Sequence, residues 1–272
     1  MIYISDLDGT LLNDNAMLSD FTIDTIRKLN ESGIKFTIAT ARSYYTARSL
    51  IEQLDLKYPC ILRNGSMIID PVSKKTIYSK MMDYQLGVDI INDLKKFNLN
   101  PIVHCHIDDQ EYVEYMSIEN EGEAYYINSR LESHDKRLRK VNSYQYHDNC
   151  SFVSICSIQT GHENHFDLLS DKYNDQCVIH TYKDSYSGFS WLEFNYIGAS
   201  KKTASEYLVN YLNEDGYIAF GDASNDLDML KHAKKAYIPA QSYLHLSGYP
   251  FDLIENNNKD GVCRYLADRH LK

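Results

Sequence analysis

The stretch Met1-Ile2-Tyr3-Ile4-Ser5-Asp6-Leu7-Asp8-Gly9-Thr10-Leu11-Leu12 decides the fold. Residues 1–4 are apolar and β-branched or aromatic, the signature of a short strand, and they run directly into carboxylates at Asp6 and Asp8. Open parallel sheets place ligand sites just past the carboxyl ends of their strands, which is where these two acids fall. At a spacing of two residues both can lie near one cation, and a cation that neutralises both lets a phosphate dianion approach. Gly9 lets the chain turn sharply away. A plain turn after a strand would use the same Asp, Gly and Thr, so the rest of the chain has to decide between the two readings.

Working outward, residues 19–32 read as a helix with Gly33 as its C-cap, residues 34–39 as a buried strand, 44–54 as a helix and Cys60–Leu62 as another strand. That is a βαβαβ opening, the mark of a doubly wound α/β layer. Asn64-Gly65 and Asp70-Pro71 are turn signals around Met67–Ile69, which predict a small hairpin appended to the sheet. From about residue 82 to 187 the pattern changes to one amphipathic helix (84–97), short strands and polar loops, an inserted second domain. The α/β pattern resumes with a helix at 200–212, a strand at Tyr217–Phe220, a helix at 225–233 and a closing helix at Gly261–His270. The expected domains are therefore 1–81 with 188–272 and, between them, 82–187.

At 272 residues, 43% hydrophobic and 24% charged, the chain is an ordinary globular protein with room for two cores. Its net charge of −10 repels polyanions, which argues against nucleic acid or an anionic membrane as partner. The six cysteines form no CxxC pair, so neither a zinc knuckle nor a disulfide framework is signalled and a reducing cytoplasm fits. The opening strand with its carboxylates argues against a secretory segment, and no apolar run reaches membrane-spanning length.

Gly221-Asp222-Ala223-Ser224-Asn225-Asp226 again follows an apolar strand and again delivers carboxylates to its carboxyl end. Oxygen ligation without His or Cys selects a hard cation, so Mg²⁺ is the expected metal. Lys201 follows Gly198-Ala199-Ser200 at a helix N-terminus, an odd place for a cation unless it holds an anion. Thr40-Ala41-Arg42, closing the second strand, offers a hydroxyl, backbone N–H groups and a guanidinium, all suited to phosphate oxygens.

These segments in this order resemble the haloacid dehalogenase superfamily, and within it the Cof-type (subfamily IIB) sugar-phosphate phosphatases. The resemblance rests on DLDGTLL, the GASK segment ending at Lys201 and FGDASNDLDML, and covers residues 1–78 and 188–272. It implies a Rossmann-like parallel core with an inserted α+β cap of the C2 type, and a Mg²⁺-dependent phosphatase working through an aspartyl-phosphate. Carried across by motif, Asp6 is the nucleophile and Asp8 the general acid and base. Leu7, Thr40, Ala41, Lys201 and Asn225 hold the phosphoryl group, with Arg42 and Asn64 at the substrate edge. Asp6, Asp8 and Asp222 bind the metal, and Asp226 orients Lys201 or the metal waters. The implied partner is a small phosphorylated metabolite, acted on by a monomer or weak homodimer. A phosphotransferase or phosphomutase on the same core, and a phospho-ligand sensor without catalysis, are the alternatives; the sensor ranks last because Asp6, Asp8 and Lys201 are all present. Three positions depart from the family pattern: Ala41 stands for a usual Gly, Lys202 replaces a Gly, and Ile238-Pro239-Ala240-Gln241 replaces a Gly-Asn-Ala stretch and receives no role.

Three further signals have bland readings. His104-Cys105-His106 reads as a half-exposed strand rather than a metal site, and the same holds for His162 and His165. Arg130, Lys136, Arg137, Arg139 and Lys140 read as a solvated helix face.

Overall fold

The computed structural model describes residues 1–271 apart from 109, 148, 160–162, 184–187, 243–245 and 247. Expectations that fell on His162 and on the boundary at Ser187 lie outside the described residues.

The chain opens with β1 (Ile2–Ser5), α1 (Asp20–Glu31), β2 (Phe36–Ile38) and α2 (Tyr44–Gln53). Ser19 and Ser43 cap the two helices by accepting from the N–H of Thr22 and Thr46, which takes up donors the helix cannot satisfy internally. Three short strands follow, β3 (Cys60–Leu62), β4 (Met67–Ile69) and β5 (Thr76–Ser79). Next come α3 (Tyr84–Lys96), β6 (Ile102–Ile107), β7 (Gln110–Tyr115), α4 (Glu121–Glu132), β8 (Leu138–Lys140), β9 (Cys150–Gln159), α5 (Glu163–Tyr173), β10 (Cys177–Lys183) and β11 (Ser190–Tyr196). The last third holds α6 (Lys201–Tyr211), β12 (Tyr217–Phe220), α7 (Leu227–His232), β13 (Lys235–Pro239), β14 (Asp252–Ile254) and α8 (Gly261–His270).

Met1–Ser79 and Ala199–Lys272 form one compact unit and Lys80–Gly198 another. The first is built on a parallel five-stranded sheet in the order β14-β13-β12-β1-β2. Its strands alternate. Ile2 and Ile4 of β1 and Tyr217 and Ala219 of β12 pack with Ala204 and Leu208 of α6 and Met229 and Leu230 of α7. On the other face Phe220 and Tyr237 stack on each other and meet Tyr265 of α8. A sheet covered by helices on both faces has two apolar surfaces, which is why β1 and β12 are buried at every position. This is the α/β parallel-sheet fold the opening stretch implied.

The structure corrects several details. β3 does not extend the main sheet: it begins a separate antiparallel sheet in the order β3-β4-β5, tied to the first by one parallel bridge between Ala39 and Ile61. The expected βαβαβ is thus βαβα, with an antiparallel ribbon in place of the third strand. The expected helix at 225–233 is a single 3-10 turn, Ser224–Asp226, followed by the short α7. β13 and β14 were not anticipated, although they complete the sheet. Lys235 to Pro239 is masked by charge at one end and proline at the other, and Asp252 to Ile254 is too short for a period to show.

The second unit carries a six-stranded sheet in the order β10-β11-β9-β6-β7-β8, antiparallel except for β7 with β8. α3 and α5 pack on one face through Ile90, Leu94, Phe166 and Leu169, and α4 on the other through Tyr126 and Ile127. β11 pairs along its length with both β9 and β10, so residues 190–196 belong to this unit and not to the first, as their position after residue 187 had suggested. The basic stretch is solvated at Lys136, Arg139 and Lys140 but is not one helix face, since only Arg130 lies on α4. Arg137 is buried in ion pairs with Asp135 and Glu111, Arg130 pairs with Asp135, and Arg139 with Glu114. His104 is buried, not half-exposed, with Nε2 and the Tyr126 hydroxyl 2.9 Å apart, and His165 lies against the Phe97 ring.

Candidate active site

The site forms where β1, β2 and β12 end side by side. β1 and β12 are paired in register, Ser5 opposite Phe220, so the residues that follow them, Asp6 and Gly221-Asp222, are brought to the same edge. After Asp6 the chain makes a single wide turn, Leu7–Leu11, closed by the Leu12 N–H donating to the Leu7 carbonyl at 2.8 Å. Gly9 adopts φ +74°, and a Cβ there would lie 2.3 Å from Asp222 Oδ2. Both the backbone conformation and the space therefore require glycine at this position.

Lys201 is the centre of the arrangement. Its side chain is 0% exposed, and its ammonium donates to Asp6 Oδ1 at 2.8 Å and to Asp226 Oδ1 at 2.6 Å. It reaches this position because Ser200 caps α6, in a reciprocal box with Thr203, and so sets the first residue of the helix toward the strand ends. The other oxygen of Asp226 accepts from the N–H groups of Asp222 and Ala223, both at 3.1 Å, which folds residues 221–226 into a tight loop. Asp222 Oδ1 accepts from the Thr10 hydroxyl at 2.8 Å.

One ammonium facing three carboxylates leaves an excess of negative charge. Burial, with Asp226 beside it, pushes the Asp6 carboxyl well above the ordinary carboxylate range against the pull of Lys201. Burial also pushes Asp222 up, to about 6, although the Thr10 hydroxyl pulls the other way. Burial alone would lower the Lys201 ammonium, but Asp226 and Asp6 together hold it above its usual value. Such a cluster calls for a further positive charge. Ligand oxygens of Asp6, Asp222 and Asp226 lie within 4.8 Å of one another, and this set could hold a metal ion. Both oxygens of Asp226 already accept from Lys201 and the loop amides, so a bound ion would draw on Asp6 and Asp222 with Asp226 behind them. An all-oxygen set of this kind suits a hard divalent cation.

The structure sets the Asp8 side chain, expected among the metal ligands, apart from Asp6, Asp222 and Asp226. Its carboxylate lies outside the cluster, 52% exposed, and is held by Arg42 through Nε at 2.8 Å and Nη2 at 2.5 Å. The paired hydrogen bonds from Arg42 hold it outward, and they raise the Arg42 guanidinium in turn. Leu7 is buried in the core, so only its backbone can serve a ligand. Thr40 is fully buried at the end of β2, its hydroxyl accepting from the Arg42 N–H at 3.1 Å, while Ala41 is exposed at the lip. Asn64 and Asn225 are brought together, the Asn225 amide nitrogen donating to Asn64 Oδ1 at 3.0 Å.

Two participants went unassigned from sequence. Thr10 stands inside the quoted motif, and only the distance to Asp222 gives its hydroxyl a task. Gln241 follows β13, at the carboxyl end of a strand whose existence the sequence hid, and its amide nitrogen donates to the Gly9 carbonyl at 2.8 Å.

A carboxylate loop after β1, a buried lysine at a helix start and an acidic loop after β12, set on a parallel sheet, make a site suited to a cation and a small anion. A family profile described as haloacid dehalogenase-like hydrolase matches residues 3–266, and the chain belongs to that family. A Buchnera aphidicola relative with a provisional phosphatase name is 28% identical over 273 residues, 96% of this chain and 93% of its own. The Bacillus subtilis 5-amino-6-(5-phospho-D-ribitylamino)uracil phosphatase YitU is 23% identical over 277 residues, 97% and 95% of the two chains. A crystal structure from Thermotoga maritima shares the fold with a TM-score of 0.80 at 24% identity, covering 98% of this chain and 96% of that one. Among the described residues no helix is long and apolar enough to cross a membrane.

Proposed function

We propose that the protein is a Mg²⁺-dependent phosphatase that hydrolyses a small phosphomonoester through an aspartyl-phosphate on Asp6. The observation that carries this reading is the fully buried Lys201 bridging Asp6 and Asp226, with Asp222 beside them at the ends of adjacent parallel strands. A buried ammonium shared by carboxylates is costly to desolvate, and it is put to use if the same charge receives an anionic substrate.

Asp6 attacks phosphorus in line, and the bond to the leaving oxygen breaks. Lys201 draws the phosphoryl oxygens onto the nucleophile, and the Thr40 hydroxyl and the backbone of Leu7 and Ala41 complete the cradle. Asp8, held at the mouth by Arg42, protonates the leaving alcohol and then takes a proton from the water that opens the aspartyl-phosphate. Mg²⁺ held by Asp6 and Asp222 would neutralise the excess negative charge of the carboxylates and the phosphoryl group.

The second unit, residues 80–198, supplies the selection of the leaving group in this reading. The partner is a small phosphorylated metabolite. The YitU relative acts, by its name, on a phosphorylated ribityl compound, which places such compounds in the panel to test. The experiment is release of inorganic phosphate from an aryl phosphate with Mg²⁺ and no added acceptor, coupled to acid trapping of the phosphorylated protein. Label on wild-type protein and none on Asp6→Asn supports the reading, and phosphate release from Asp6→Asn at the wild-type rate overturns it.

A further inference from the structure

Arg63, Asn64 and Gly65 adopt φ of +51°, +52° and +95° in succession. The left-handed region is costly for a side chain such as arginine and is kept only where the surroundings impose it. Here they do. The Arg63 N–H donates to the Arg42 carbonyl and the Asn64 N–H to the Thr40 carbonyl, both at 3.0 Å, so the turn is laced to the loop that ends β2. Gly65 packs against the cap of α6 so closely that a Cβ would lie 2.0 Å from the Ser200 carbonyl oxygen, next to Lys201. The Asn64 side chain accepts from Asn225 at 3.0 Å. One strained turn thus touches the Thr40 loop, the start of the Lys201 helix and the Asn225 loop.

We infer that Asn64 is a positioning residue that acts through Asn225, fixing the orientation of its carboxamide, and not a residue that contacts substrate at the edge of the site. A carboxamide nitrogen carries two hydrogens. With one given to Asn64 Oδ1, the plane and the flip of the Asn225 amide are set, and the second hydrogen is left for an acceptor such as a phosphoryl oxygen. Without Asn64 the amide loses the acceptor that sets its flip, and the flipped form presents an oxygen to an anion. The left-handed backbone at 63–65 is what brings Oδ1 into line, since an extended Asn64 would point elsewhere. The inference rests on the phosphatase reading for the identity of the ligand.

The test is a double-mutant cycle of Asn64→Gly and Asn225→Ala on the full chain. Two readouts are used: calorimetric binding of inorganic phosphate in the presence of Mg²⁺, and turnover of an aryl phosphate. Glycine accepts the left-handed backbone, so Asn64→Gly removes the amide without disturbing the turn, and its melting temperature stays within about 2 °C of wild type. Each single variant weakens phosphate binding about tenfold, the size of one lost hydrogen bond to a charged acceptor, and the double variant is no weaker than either. Losses that multiply to about a hundredfold would show that Asn64 contacts the ligand itself. Wild-type phosphate affinity in Asn64→Gly, or a drop of several degrees in its melting temperature, also overturns the inference. Phosphate binding without turnover by the wild-type protein removes the phosphatase reading and leaves the cycle in binding to judge Asn64. Failure of the wild-type protein to bind phosphate at all overturns both.

Discussion

At the scale of the residue, Asp6, Lys201, Asp222 and Asp226 behave as one electrostatic unit. Because burial and Asp226 disfavour the ionised form of Asp6, replacing it by the neutral isostere relieves a cost as well as removing the proposed nucleophile. Asp6→Asn is expected to lose turnover by at least about a thousandfold while melting no lower than wild type in chelator, with activity assay and calorimetry as the checks. Asp222 gives a pH dependence. Its folded value, about 6, lies above the unfolded carboxylate value, so the fold holds the proton more tightly than the unfolded chain does. The stabilisation is complete below about pH 4 and is lost as pH rises through about 6, on the order of 2–3 kcal/mol across that window. Metal-free protein should therefore melt higher at pH 5 than at pH 7.5 as far as this group decides. Saturating Mg²⁺ should reverse the order, since ligation requires the proton to leave. Melting curves at the two pH values with and without Mg²⁺ measure both effects, and a metal-free protein that melts higher at pH 7.5 would count against the buried-carboxylate account.

At the scale of the element, the site depends on loops held at fixed angles by close backbone contacts. Gly9 and Gly65 are two site glycines at positive φ where one added carbon collides, with the Asp222 carboxylate and with the Ser200 carbonyl. The obstacle to Gly65→Ala is backbone at 2.0 Å, which cannot swing aside, and the positive φ adds strain. That variant should lose at least about 2 kcal/mol of stability in chemical denaturation. It should also lose more activity than its fraction unfolded explains, because the start of α6 and Lys201 with it must shift. Ser200→Ala offers the milder comparison: loss of the cap costs about 1 kcal/mol, with Lys201 still drawn inward by its two carboxylates.

For the whole molecule, the question is how a parallel-sheet unit and an antiparallel-sheet unit divide the work. Every residue placed in the candidate site lies within residues 1–79 and 199–272. Replacing residues 80–198 by a short flexible linker should keep slow hydrolysis of an aryl phosphate, provided the remaining unit refolds, and should erase preference among sugar phosphates. Remote binding energy speeds the reaction only when a second body orients the leaving group and excludes water. A folded deletion variant that ranks a metabolite panel as the intact protein does would move selectivity to the first unit, near Arg42 and Asn64. Chelation of divalent metal should abolish activity in the intact protein, with recovery in Mg²⁺ and not in Ca²⁺, which prefers more ligands at longer distances. Full turnover after exhaustive dialysis against chelator would remove the metal from the account.

The parts of this protein that the sequence alone determined are those encoded by local pattern. An apolar strand ending in Asp6-Leu7-Asp8-Gly9-Thr10 and another ending in Gly221-Asp222 announce parallel strands with acids at their carboxyl ends. Tyr44–Gln53 and Gly261–His270 carry helical spacing within their own residues. Tertiary structure decided what depends on partners distant in the chain. β3 has the composition of a buried strand and could have joined either sheet; the ribbon formed with β4 and β5 took it. β13 is a strand because β12 offers it an edge, and β14 because β13 then does. Asp6, Asp8, Asp222 and Asp226 are the same kind of residue in sequence. Only the fold sets three of them around a buried ammonium and turns the fourth outward to Arg42, because charge, burial and distance are properties of the assembled site and of no single segment.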